Sequence, residues 1–100
     1  MAIQIGKYNF EGPYRTPADI PALSGVYVIL GRNGPTNWQV IDVGESRSLW
    51  ERLNNHDREP QWGRCGYSDR AIAVLYCAEA QRMQIERELR NQFNPVCGIR

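Results

Sequence analysis

From Ile3 to Phe10 apolar and polar positions alternate: Ile3 and Ile5, then Tyr8 and Phe10 after Gly6-Lys7. A period of two belongs to a strand with one face in a core. Gly6 inside the run predicts a kink, so the segment reads as a kinked edge strand. Gly12-Pro13 breaks it. Thr16-Pro17-Ala18-Asp19 places a capping hydroxyl before a proline at the first helical position, which predicts one short helical turn that Pro21 stops. Val26 to Leu30 is a continuous apolar run of β-branched and aromatic residues, as expected of a buried strand. Gly31 to Asn37 holds two Gly, two Asn and one Pro, a hairpin connection, and Trp38 to Val43 reads as the antiparallel partner.

After Gly44 the period changes. Ser48-Leu49-Trp50-Glu51 fits a capping box, with Leu49 and Leu53 as the buried stripe of a helix that fades at Asn54-Asn55-His56. A polar segment from Asp57 to Asp69 follows, long for a structureless loop and therefore a functional candidate. Ala71 to Cys77 predicts another central strand. Glu79 to Phe93 is the strongest helix, with Ile85, Leu89 and Phe93 on one face and good helix formers throughout, ended by Asn94-Pro95. This order predicts an α+β fold: a small, mainly antiparallel sheet of three to four strands flanked by two main helices.

At 100 residues the chain has room for one domain, and 42% apolar residues suffice for a core. No apolar stretch approaches the roughly 20 residues that cross a bilayer. The start, Met1-Ala2-Ile3-Gln4, lacks a basic region followed by an apolar run, so a cytoplasmic location is expected. Cys65, Cys77 and Cys97 are too widely spaced for a metal knuckle, and with one His in the chain they read as reduced thiols, Cys77 in the core. Net charge is only +1, but 11 of the 12 cationic residues are Arg, and nine of these follow Gly44. Arginine offers a planar fork of donors that suits phosphate, so a phosphate-facing surface is expected in the C-terminal half.

Four elements then fall in a familiar order. Ser24-Gly25-Val26-Tyr27 opens the first hairpin strand, Asp42-Val43-Gly44-Glu45-Ser46 closes the second, Leu49-x-x-Arg52-Leu53-x-x-His56 follows, and Glu86-x-x-Leu89 with Pro95 finishes the chain. This order resembles the GIY-YIG nuclease superfamily, from about residue 24 to the C-terminus of a single domain spanning 1–100. The resemblance implies a GIY-YIG nuclease-like fold and hydrolysis of phosphodiester bonds in DNA with one divalent metal, Mg²⁺ or Mn²⁺. Carried over by position, Tyr27 would accept a proton from the attacking water or help a neighbour do so. Arg52 would contact the scissile phosphate, His56 would assist the base, and Glu86 would hold the metal. Arg47, Arg58, Trp62 and Arg64 are candidate DNA contacts, since cations beside a ring suit backbone and base. Trp62 has a second reading, packing back on the core. Such a small module leaves room for a targeting domain or partner protein.

Two positions depart from the family pattern. Asp42 stands where a Tyr is usual, an acid that could bind metal without copying the phenol, and Gly98 stands where an Asn is usual, with Asn94 the nearest amide. Each candidate also has a plainer reading. Tyr27 suits a strand core, Arg52 and His56 suit a helix C-terminus, and Glu86 can pair with Arg82 or Arg90 at i, i+4. The alternative function is a catalytically inactive GIY-YIG-like module that binds nucleic acid or a protein.

Overall fold

The computed structural model describes residues 2–55 and 59–95; His56, Arg58, Cys97 and Gly98 lie outside them. The chain forms strands β1 (Ala2–Ile5), β2 (Tyr8–Tyr14), β3 (Gly25–Arg32), β4 (Gln39–Ser46) and β5 (Asp69–Tyr76). Its helices are α1 (Leu49–Asn54), α2 (Glu59–Gly63) and α3 (Glu79–Phe93), with a 3₁₀ turn at Pro17–Asp19. The strands make one antiparallel sheet in the order β1-β2-β5-β3-β4. The fold is therefore α+β, with five strands rather than the three or four that the pattern predicts.

The extra strand comes from the N-terminus. The predicted kinked strand is a hairpin, β1 against β2, because Gly6 adopts φ 59° and turns the chain back instead of bending it. Gly12-Pro13 does not end β2, which runs on to Tyr14 through an irregular register against β5.

β3 is buried from Gly25 through Gly31, which explains its unbroken apolar run: helices cover both faces of the sheet. Tyr27 and Ile29 point into one core with Leu49, Leu53, Trp62, Ile72 and Val74. Val26, Val28 and Leu30 point into the other with Val43, Ile85 and Leu89. α1 and α2 thus cover one face and α3 the other. In β4 the register slips, since Ile29 faces Asp42 while Leu30 faces Val40, leaving Ile41 as the extra residue of a bulge. Paired residues share a face, so Asp42, opposite Ile29, and Gly44, opposite Tyr27, look toward the α1/α2 layer.

α3 has the predicted bounds, and Gln81 reaches back to the Ala78 N–H at its start. The start of α1 departs from expectation. Ser48 makes no side-chain cap, its hydroxyl is buried without a partner among the described residues, and the Ser46 hydroxyl accepts from the Ser48 N–H instead (3.0 Å). At the other end of β3, Asp69 pairs with Arg15 and with Arg32 (3.0 Å). Desolvation opposes its ionisation, yet hydrogen bonds from Arg32 and Arg15 hold its carboxyl below the ordinary range. The expectation of reduced cysteines is corrected for Cys65, which is disulfide-bonded. Cys77 is a half-buried free thiol that burial pushes up in pKa.

Candidate active site

β4 is an edge strand, and residues of both helical layers come together beside it. There a cleft of about 480 Å³ is lined by Tyr27, Gly44, Glu45, Arg52, Met83, Glu86, Arg87, Arg90 and Asn91. β3 supplies Tyr27, β4 supplies Gly44 and Glu45, α1 supplies Arg52, and α3 supplies the rest.

Tyr27 reaches this edge by lying across its strand neighbour. Its ring is 1% exposed, and a Cβ on Gly44 would run into the phenol hydroxyl and Cζ and sit 2.6 Å from Cε2. Gly44 therefore lies within β4 and makes room for the tyrosine. It does not mark the exit from strand to helix that the sequence suggests. The result is a phenol held by packing in the cleft wall. Arg52, half-buried on α1, joins it from the same layer.

α3 enters from the other layer. Met83, Glu86, Arg87, Arg90 and Asn91 follow i, i+3, i+4, i+7 and i+8, one helical stripe beside the buried Ile85/Leu89 stripe. Glu86 accepts from Arg90 Nε (3.2 Å), which is the i, i+4 pair that its plainer reading foresees. Glu45 accepts from Arg82 Nε (2.9 Å), and Arg82 also donates to the Ser24 hydroxyl (2.9 Å), fixing the start of β3. Among the described residues, three guanidinium groups and two carboxylates therefore line the cleft. Among the described residues no group of three or more His, Cys, Asp or Glu converges as a metal cage.

The other predicted residues are placed differently. Asp42 is fully buried and does not line the cleft. Its carboxylate accepts from Trp62 Nε1 (2.7 Å), from its neighbour Val43 N–H (2.8 Å) and from Arg90 Nη2 (3.0 Å). It is thus a clamp between layers, which corrects the picture of an acid standing in the cleft for a missing phenol. Trp62 is 5% exposed and presents no face for a base to stack on, because α2, inside the segment read as a loop, turns the indole into the core. Arg64 is exposed just beyond α2 and is not among the cleft residues. Arg47 borders an adjoining shallow depression with Ser46, Ser48, Glu51, Arg52 and Asn55, and Arg52 is common to both hollows. Asn94 closes α3 in a left-handed conformation (φ 47°) and is not among the cleft residues.

Glu45, Met83, Arg87, Arg90 and Asn91 were not singled out from the sequence. For the α3 members the signal was present: once Glu86 is assigned, helical spacing puts 83, 87, 90 and 91 on its face.

The chain matches no protein-family model, and no curated protein sequence resembles it significantly. Solved structures do resemble it. The magnesium-bound GIY-YIG N-terminal endonuclease domain of UvrC from Thermotoga maritima superimposes with a TM-score of 0.61 at 18% identity, covering 83% of this chain and 91% of that one. A point mutant of the same domain, a Tyr-to-Phe change bound to its catalytic divalent cation, gives 0.62 at 18% identity over 84% of this chain and 91% of that one. An Asn-to-Ala mutant of that domain gives 0.60 at 19% identity, with 84% and 91% covered. With five antiparallel strands, three helices and this likeness over most of both chains, the protein has a divergent GIY-YIG endonuclease-like fold.

Proposed function

We propose that the chain is a divalent-cation-dependent endonuclease that hydrolyses phosphodiester bonds of DNA. The observation that carries this reading is the meeting of Tyr27, Arg52 and Glu86, from three separate elements, at one open cleft. Side chains far apart in sequence that converge where a phosphate can enter are what in-line displacement needs.

Each group has a role that suits its setting. The Tyr27 oxygen, immobilised by the packing of its ring over Gly44, orients the attacking water and takes or relays its proton. Arg52 carries a charge that does not titrate, and it meets the charge that builds on the phosphoryl oxygens. Arg87 and Asn91 extend the row of donors along α3 toward the flanking backbone. The carboxylates suit a hard cation: Glu86 and Glu45 offer oxygen donors at a cleft open to water, with no thiol or imidazole among the described lining residues. Magnesium typically takes one or two carboxylates and completes its shell with water and substrate phosphate. Glu86 is the residue that would hold it, and a bound Mg²⁺ or Mn²⁺ supplies Lewis-acid stabilisation of the phosphoryl oxygens.

No helix among the described residues is long and apolar enough to cross a membrane. The reading takes DNA in the cytoplasm as substrate, with a targeting domain or partner supplying specificity. A second reading, a non-catalytic module on the same scaffold, draws support from Asp42, whose carboxylate is buried in the fold instead of offering a group to the cleft.

Nicking of supercoiled plasmid separates the two readings. Wild-type chain with Mg²⁺ or Mn²⁺ is expected to nick, EDTA to abolish the activity, and Glu86→Ala to lower the rate by about 10²–10³. No wild-type nicking, or equal nicking by the mutant, contradicts the nuclease; DNA binding without cleavage then favours the module.

A further inference from the structure

Asp42 is a fully buried carboxylate that the chemistry above leaves unused. A buried charge is costly unless it is paired and hydrogen-bonded. Its surroundings meet that demand from both layers: the Trp62 indole N–H donates from α2 (2.7 Å) and the Arg90 guanidinium donates from α3 (3.0 Å). The bulge at Ile41 turns Asp42 toward this junction. Arg90 is itself divided, since its Nη2 bonds Asp42 while its Nε bonds Glu86 at the cleft (3.2 Å). Its side chain is 15% exposed, so water screens this bridge little.

One cation thus serves two carboxylates, one sealed in the fold and one facing the cleft. We propose that Asp42 is a positioning residue acting through Arg90: by drawing off part of the guanidinium charge and holding its fork, it keeps Glu86 negative enough, and correctly turned, to receive a divalent cation. The inference rests on the reading of Glu86 as the cation-holding residue. Its physical content is a charge balance. Asp42, Arg90 and Glu86 together carry −1. Without the Asp42 charge the sum is zero, and Arg90 turns more of its charge to Glu86, where it competes with any metal. Trp62 holds the far oxygen of Asp42, so the placement of α2 feeds into the same balance.

The test is Mn²⁺ binding to the whole chain, followed by calorimetry or by the electron paramagnetic resonance of free Mn²⁺, with no substrate present. Asp42→Asn keeps the shape and an acceptor for Trp62 but removes the charge, and affinity is expected to fall by about tenfold or more. Adding Arg90→Gln removes the competing cation and restores the sum to −1, so the double variant is expected to bind within about three-fold of wild type. Wild-type affinity in Asp42→Asn overturns the proposal. Equal weakening in the single and double variants overturns it too, since a purely structural role gives no rescue. Should Asp42→Asn not fold alone, the double variant, with two amides at the buried junction, reads the same balance: affinity near wild type supports the proposal and a tenfold loss overturns it. Failure of the underlying reading has a separate signature, in which wild type does not bind Mn²⁺ or Glu86→Gln leaves binding unchanged.

Discussion

Glycine within a strand normally weakens a sheet, because it offers nothing to pack and costs backbone entropy. At Gly44 in β4 the Tyr27 ring fills the space that a Cβ would take. The two positions are cross-strand partners and behave as one unit: the glycine exists so that the phenol can lie flat and reach the edge. Gly44→Ala is expected to destabilise the fold by about 1–3 kcal/mol through overpacking, read as a lower urea midpoint. A midpoint equal to wild type would show that the ring has room to move aside. At this scale the sequence was partly legible. The order of Tyr27, Arg52 and Glu86 was visible, but Gly44 read as the end of a strand because nothing local shows a ring crossing from the neighbouring strand. Asp42 was harder still. Its burial depends on partners 20 and 48 residues away, Trp62 and Arg90, and no short-range pattern announces them.

Elements were legible in proportion to how many of their own residues carry the pattern. α3 is 15 residues long, and its apolar period sets both ends correctly. α1 has six residues and α2 five, too few for a period to show. α2 is tied to the sheet through Trp62, whose ring fills the core while its N–H meets Asp42. The β1–β2 hairpin read as one strand because alternation continues across Gly6-Lys7, and only the backbone angle at Gly6 separates a turn from a kink. Trp62→Phe keeps most of the apolar volume and removes the donor, leaving a buried carboxylate oxygen short of a partner. It is expected to cost about 1–3 kcal/mol in chemical denaturation. No loss of stability would mean that packing alone seats α2.

In the whole molecule the cleft follows from topology. Side chains from opposite faces of a sheet can share a cleft only beside an edge, and β4 is one of the two edges. Tyr27 and Arg52 come from one layer and Glu86 from the other, so the site depends on the complete fold. The fold class was readable because strand and helix periods alternate along the chain; the cleft was not, because it lies between layers whose spacing no sequence period encodes. The central claim is that these three side chains act on one phosphate at this edge. Single-turnover cleavage of a DNA duplex with Mg²⁺, compared across Tyr27→Phe, Arg52→Ala, Glu86→Gln and the exposed Arg64→Ala, tests it most directly. The account predicts that each of the first three slows the chemical step by about 10²–10³ at saturating enzyme, while Arg64→Ala leaves that step unchanged. Equal rates across all four variants, or a loss confined to Arg64→Ala, would contradict it.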